Sequence, residues 1–579
     1  MLRTLLAAAL IATPLFAIAE GAPVKAPSKP KNLVIMVGDG MGPAYTTAYR
    51  YFKDNPDTEE IEQTVFDRLL VGMATTYPAP VSGYVTDSAA AATALATGQK
   101  TYNGAISVDV DKAPLPTLME KARQAGLVTG IAVSSQINHA TPAAFLSHNE
   151  SRKNYDEIAK AYLDSDAQVM LGGGQKYFDP ELLGKFIAKG YTHVTDMNAL
   201  SAINGGKVIG LFAEVQLPWA VDNPGARQLS TLTAKALELL SQNEQGFVLL
   251  VEGSLIDWAG HNNDIVSAMG EMDEFARAIE VVEEFVRSRG DTLMVVTADH
   301  NTGGLSIGAD GEYEWDAALL RAVKASPDSM AAAALASEEW HKPLIASLGF
   351  ALESDEWDEL TKARADGQDA LAACIMAIID KRSHTGWTSG GHTAMDVQVF
   401  AQGPAADLFN GSQDNTDIAN KMMSLLPKVK KEQPAKPATA TNAPVSEAGN
   451  EAGTAKPQSA TQQTEQKSAV NEQTEKAQAG NEQTEQISAG NEQAEEKQAE
   501  PAVSPAAAVS EPQADAKPAD AEPVKVEPEN AEPVKPEPVK SEPVNSEPAK
   551  SEPAKSKPEQ QSATEPSQAL TDSTPAIAA

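Results

Sequence analysis

The chain has 579 residues with a formal net charge of −34 and a single cysteine, Cys374. So acidic a protein lacks the basic face that a nucleic-acid partner requires, and one cysteine excludes an internal disulfide framework. Length alone allows several domains, but composition divides the chain sharply.

Residues 1–19 join Arg3 to an apolar run and end in the small residues Ala17-Ile18-Ala19. This pattern predicts a secretory leader, too short for a membrane span, and hence a periplasmic or secreted protein. A polar, Pro-rich linker is expected over 20–29 and a folded domain over 30–427. From Lys428 to Ala579 there is no Phe, Tyr, Trp, His, Cys or Arg. Such a segment buries too little apolar surface to offset the entropy of ordering it, so a disordered tail is expected. Two repeats run through it: Asn-Glu-Gln-(Thr/Ala)-Glu from Asn471, Asn481 and Asn491, and a Glu-Pro-Val-Lys-like unit at Glu522, Glu532 and Glu537. Repeats this short and polar read as an extended spacer.

Within the folded part, Leu33 to Val37 is apolar throughout and ends in Gly38-Asp39-Gly40-Met41-Gly42. A strand apolar on both faces belongs inside a sheet covered by helices, so Asp39 is expected at the carboxyl end of a central strand. Helical patterns follow at 43–54 and 61–70. Ser88 to Ala96 is a run of small residues stopped by Gly98, which predicts a short, closely packed helix with Ser88 at its N-terminus. Free N–H groups and the positive end of the dipole there favour an anion. Ser88 beside Asp87 can therefore be a nucleophile toward phosphate, or simply a cap.

A helix is expected over 116–124 and a strand over 127–133, running on to Asn138-His139-Ala140-Thr141-Pro142. Arg152 follows, able to present a planar fork to a phosphate. Strand-like runs near 169–171, 207–212 and 247–251 alternate with helices, notably at 229–240. The fold class predicted is α/β, with a largely parallel sheet and helices on both faces. The run at 247–251 leads to Glu252, Asp257, Trp258 and His261. Asp257 and His261 are four apart and share a face if helical, so both can reach one metal. A long amphipathic helix carries Ile265, Met269, Met272, Phe275, Ile279 and Val282 inward and closes at Gly290. The strand at 292–297 delivers Asp299 and His300. Residues 305–385 break the alternation as a helix-rich insertion beside the site, holding Cys374 as a buried apolar side chain. His392 then precedes a strand at 397–401, and the last helix is expected over 418–426.

Four segments thus end at a presumed sheet rim with metal-capable groups: Asp39; Glu252, Asp257 and His261; Asp299 and His300; and His392. Carboxylates mixed with imidazoles suit zinc. The motifs Val37-Gly38-Asp39-Gly40-Met41-Gly42, Asp87-Ser88-Ala89-Ala90-Ala91-Ala92-Thr93, His139-Ala140-Thr141-Pro142-Ala143 with Ser151-Arg152, Glu252-Gly253 with Asp257 and His261, Thr297-Ala298-Asp299-His300, and Gly391-His392-Thr393 resemble those of the alkaline phosphatase family in the family's order. The resemblance implies two zinc ions, one held by Asp257, His261 and His392, the other by Asp39, Asp299 and His300 with Ser88 as nucleophile. It implies a magnesium ion on Asp39, Thr141 and Glu252, a phosphate clamp in Arg152, and Asp87 orienting that clamp. Some members carry Asp and Lys at the positions of His139 and Trp258. The implied activity is hydrolysis of phosphate monoesters through a phosphoserine, and the implied assembly is a homodimer. Cys374 sits in Cys-Ile-Met-Ala-Ile, unlike the modified-Cys motif of related sulfatases, and Glu252 with Thr141 favours monoesters over diesters. The rival of another class is a non-enzymatic exported binding protein working through its tail.

Overall fold

The computed structural model of the chain describes residues 29–428. The expected leader, linker and tail lie outside them, apart from the bordering residues Lys29 and Lys428. The architecture is α/β. Ten strands form one sheet in the order Gly411–Asp414, Leu70–Thr75, Val397–Gln402, Thr292–Ala298, Asn32–Gly38, Phe247–Gly253, Val128–Gln136, Val169–Gly173, Lys207–Leu211, Tyr191–Val194. Every pairing in this sheet is parallel except the two made by Val397–Gln402.

The continuous apolar runs occupy the middle of the sheet, where helices cover both faces. All residues of Asn32–Gly38, Phe247–Gly253 and Thr292–Ala298 are buried. Their register matters more than their burial. Gly38 pairs with Gly253 on one side and with Ala298 on the other. The three central strands therefore end level, and Asp39 and Asp299 emerge side by side at one rim. Glu252 pairs with Val37 and with Val133, at the same height.

The small-residue helix is Ser88–Thr97, and all ten of its residues are buried. Side chains no larger than Leu95 let it sit between the helices Ala140–Leu146 and Asn415–Leu425. Gly98 closes it in the left-handed conformation that glycine adopts without strain. The long helix is Ile265–Arg289, capped by Asp264 at one end and Gly290 at the other, with the predicted Met and Phe stripe facing inward.

Residues 305–385 form a helical excursion of five helices, rooted at two short ribbons. Ser306–Ile307 pairs with Thr385–Gly386, and Asn301–Thr302 with His392–Thr393. The chain therefore leaves and returns beside the segments that carry His300 and His392. The excursion is tied back to the body where Arg321 donates to the carbonyls of Tyr51 and Phe52, and where Asp222 accepts from Ser326.

Three strands of the ten-stranded sheet carried no sequence signal. The run at 61–70, read as a helix, is helical only over Val65–Leu69 and then turns into the strand Leu70–Thr75. That strand lies near the sheet edge, half exposed, so it shows no continuous apolar run. Gly72 in it is required by packing, because a Cβ there would lie 2.1 Å from the Gly411 carbonyl oxygen. The edge strands Tyr191–Val194 and Gly411–Asp414 are short, and the latter is polar throughout. Cys374 is half-buried rather than buried, because Leu371, Ala372 and Ile375 take the inward face of its helix.

Gly40 marks where the backbone tolerates least. Its φ is +69°, and a Cβ would lie 2.8 Å from the Asp257 Cα. Gly190 has φ +88° but open space around it. Gly40→Ala is expected to lower stability to denaturant by about 1–3 kcal/mol, and Gly190→Ala by clearly less. Equal unfolding midpoints for the two variants would contradict this.

Candidate metal centre and active site

Asp87, not Ser88, caps the small-residue helix: its Oδ1 accepts from the Ala90 N–H at 2.9 Å. Ser88 is the first helical residue, in the turn whose N–H groups have no intrahelical partners. The other Asp87 oxygen accepts from the Gly104 N–H at 2.9 Å and faces Arg152 Nη1 at 3.3 Å. Arg152 Nη2 lies 3.0 Å from His139 Nε2. One carboxylate thus fixes both the helix that presents Ser88 and the guanidinium beside it.

The acids and imidazoles from the separate segments meet in three groups, each with its ligand atoms within 4.8 Å of one another. The first is Asp257, His261 and His392; the second Asp39, Asp299 and His300; the third Asp39, His139 and Glu252. Thr141, expected in the third, is fully buried beside Glu252. His139, which the motif reading left outside the ligand set, lies inside this group. Trp258 packs edge-on against His139, with centroids 5.8 Å apart, and its buried indole Nε1 has no hydrogen-bond partner.

The helix Leu255–His261 places Asp257 and His261 on one face, as their spacing required. Each imidazole of the first group is turned by a carbonyl at its far nitrogen. His261 Nδ1 bonds Gly390 O at 2.7 Å and His392 Nδ1 bonds Thr86 O at 2.8 Å. Both Nε2 atoms consequently point at one spot, 3.1 Å apart. In the second group, Asp299 Oδ1 is occupied by the N–H groups of Gly40 and His300. Its Oδ2 is left free of hydrogen bonds, 3.2 Å from His300 Nε2. The same Nε2 is 3.3 Å from Asp39 Oδ1 and 3.1 Å from Ser88 Oγ.

Buried polar atoms are normally hydrogen-bonded. Here both oxygens of Asp39, both of Glu252, Asp299 Oδ2 and Thr141 Oγ are buried without a hydrogen-bond partner. An oxygen set of this kind, flanked by oriented imidazoles, fits divalent cations. The electrostatics agree. Burial pushes the Asp39 carboxyl well above its usual range, and Asp299, Asp257 and Glu252 push it further. Burial lifts Glu252 to about 8. Burial also acts upward on Asp257, but His261, His392 and His300 outweigh it and hold that carboxyl well below the ordinary value. His392 is pulled down to about 4 by burial and by His300, whose ring stacks on it at 3.6 Å. The cluster is therefore short of positive charge that the protein does not itself supply.

The alkaline phosphatase family model matches residues 30–427. The chain belongs to the alkaline phosphatase family. Alkaline phosphatase 3 of Bacillus subtilis is 44% identical over 411 residues, covering 68% of this chain and 89% of that protein. Among solved structures, the cold-active alkaline phosphatase of the psychrophile Shewanella sp. is 66% identical with a TM-score of 0.68, covering 69% of this chain and 100% of that one. The alkaline phosphatase of the Antarctic bacterium TAB5 is 27% identical with a TM-score of 0.53, covering 69% and 99%. The chain is thus a hydrolase of phosphate monoesters from a metal-dependent family.

Two contributors near Ser88 were not singled out in the sequence. Asn103 Oδ1 accepts from the Asp87 N–H, and Gly104 supplies the N–H that holds Asp87 Oδ2. The dipeptide Asn103-Gly104 is a turn signal, and that signal alone could have marked the loop.

A pH dependence follows. Glu252 ionises at about 8 in the folded chain against an ordinary value of 4.5, so its stabilising effect is complete below 4.5 and is lost as pH rises through 8. His392, depressed from 6.5 to about 4, has its own effect only below 6.5. A cation bound at the Asp39, His139 and Glu252 group would keep Glu252 ionised and abolish its share of the loss. The melting-temperature gap between metal-replete and chelated protein is expected to widen from about pH 6.5 to about pH 9. A constant gap across that range would contradict the assignment.

Proposed function

We propose that the enzyme transfers the phosphoryl group of a monoester first to Ser88 and then to water, at a centre of two zinc ions and one magnesium ion. Asp257, His261 and His392 would hold one zinc, and Asp39, Asp299 and His300 the other. Asp39, Glu252 and Thr141 would hold the magnesium, with His139 alongside. When bound, the ions supply Lewis acidity that acidifies the attacking hydroxyl and neutralises the departing oxygen.

The residues of the chain do the rest. Ser88 Oγ attacks phosphorus; the new Oγ–P bond forms as the ester P–O bond breaks, and the alcohol leaves with a proton. Water then attacks the phosphoserine, releasing inorganic phosphate and restoring the hydroxyl. Arg152, oriented by Asp87, pairs with the non-bridging oxygens, and the N-terminal turn of Ser88–Thr97 adds its N–H groups. Trp258 packs edge-on against His139. These contacts address the phosphoryl group alone, so a broad range of monoesters is expected.

The observation that carries this reading is the 3.1 Å approach of Ser88 Oγ to His300 Nε2, where the second ligand group converges at the head of a helix. Compartment and assembly are proposed with it. The leader-like N-terminal composition supports a periplasmic or secreted enzyme, and no helix among the described residues is long and apolar enough to cross a membrane. Family membership supports a homodimer.

Ser88→Ala is expected to lower hydrolysis of p-nitrophenyl phosphate by about 10³-fold or more while leaving circular dichroism and bound zinc unchanged. Full activity in that variant would overturn the proposal, and faster turnover of a diester or sulfate ester than of monoesters would move the enzyme to another reaction class.

A further inference from the structure

Thr302 has no place in the ligand sets above, yet it touches both. It is fully buried, on the ribbon Asn301–Thr302, opposite His392. Its N–H donates to the Gly40 carbonyl at 3.1 Å, and its carbonyl accepts from the Tyr45 hydroxyl at 2.9 Å. Its hydroxyl donates to Asp257 Oδ1 in a short bond and lies 3.2 Å from His300 Nδ1. Gly40 and Gly260 leave room for it: a Cβ at Gly40 would stand 2.7 Å from Thr302 Oγ, and one at Gly260 3.1 Å from Thr302 Cβ.

The proton count makes this contact specific. A hydroxyl has one proton to give, and an ionised carboxylate can only accept. With that proton committed to Asp257, Thr302 Oγ can only accept from His300, so His300 must carry its proton on Nδ1. Its Nε2 then turns a lone pair toward Ser88, Asp39 and Asp299. His261 and His392 reach the same tautomer by donating to main-chain carbonyls, which never offer a proton. His300 alone depends on a group that could serve either way.

We propose that Thr302 is a positioning residue that couples the two zinc groups, making the tautomer of His300 in one conditional on the carboxylate of Asp257 in the other. The inference rests on the ligand assignment under Proposed function and goes beyond it. Asp257 and His300 belong to different groups, and among the described residues the only hydroxyl bonded to both is that of Thr302.

The test uses the full chain and two readouts. In metal-free protein, at a pH high enough that the spectra show each ring neutral (higher for His300, where Asp299 and Asp257 outweigh burial), ring ¹⁵N spectra report each tautomer. Wild type and Thr302→Ser are expected to hold His300 as the Nδ1–H form. Thr302→Val is expected to give a mixture, and so is Asp257→Ala, although Asp257 makes no hydrogen bond to His300. His261 and His392 should stay unchanged in all four. Zinc titration is the second readout: Thr302→Val should bind both zinc ions about 10- to 100-fold more weakly, and Thr302→Ser like wild type. An unshifted His300 in either Thr302→Val or Asp257→Ala overturns the coupling, as does zinc weakened at one site alone. A wild type that binds no zinc overturns the ligand assignment instead, and the tautomer spectra still judge the proton relay by themselves.

Discussion

The level ending of three buried parallel strands is the constraint on which the rest depends. Asn32–Gly38, Phe247–Gly253 and Thr292–Ala298 are apolar enough to need cover on both faces, so their ends are deep as well as aligned. Residues placed there are crowded and desolvated at once. Asp39, Glu252, Asp257 and Asp299 occupy that place, and four carboxylates in so dry a setting repel one another unless cations or imidazoles stand among them. The raised pKa of Asp39 and Glu252 and the depressed pKa of Asp257 are two answers to one problem. Three imidazoles around Asp257 outweigh its burial and hold it ionised, whereas burial and three neighbouring carboxylates outweigh the His300 imidazole beside Asp39 and push that carboxyl the other way. A chain with one cysteine has no disulfide to offset such a cost, so the large apolar core must carry it.

Legibility from sequence followed the same physics. Strands that run through the centre advertise themselves by uninterrupted apolar residues, and the acids and histidines that follow them could be read as one rim. The i, i+4 spacing of Asp257 and His261 was enough to put both on one helical face. The half-exposed strand Leu70–Thr75 and the polar edge strand Gly411–Asp414 have no such pattern, because solvent relaxes the demand on one face. Thr302 was passed over for a different reason. A buried threonine after a histidine is ordinary, and its importance comes from joining His300, two positions back, to Asp257, 45 positions away in sequence. His139 stood between the two cases: its motif was visible, but its membership in a ligand group depends on how the chain turns after Gln136.

Helix packing sets the position of Ser88 as firmly as the sheet sets that of the acids and imidazoles. Ser88–Thr97 has nowhere to move: every side chain is buried, and small residues permit neighbours on all sides. A bulkier sequence would keep its distance from the sheet rim and draw Ser88 Oγ away from His300 Nε2. The alanine run, which looks bland as composition, is therefore a distance specification.

Arg152 is held differently, and the contrast bears on how the site works. Its side chain is partly exposed and is steadied by Asp87 and by His139 Nε2, while its N–H is fixed to the Gly104 carbonyl. Asp87 in turn depends on Asn103 and Gly104. Arg152 and Ser88 thus share one support in the loop at 103–104, on the solvent side, whereas the clustered acids and imidazoles share supports in the interior. A rearrangement of that loop would displace Arg152 and the first turn of the Ser88 helix together, and with them the contact of Ser88 Oγ with His300 Nε2. Arg152 and Ser88 are therefore steadied from the solvent side and Asp39, Asp299 and His300 from the interior, with His139 touching both sets.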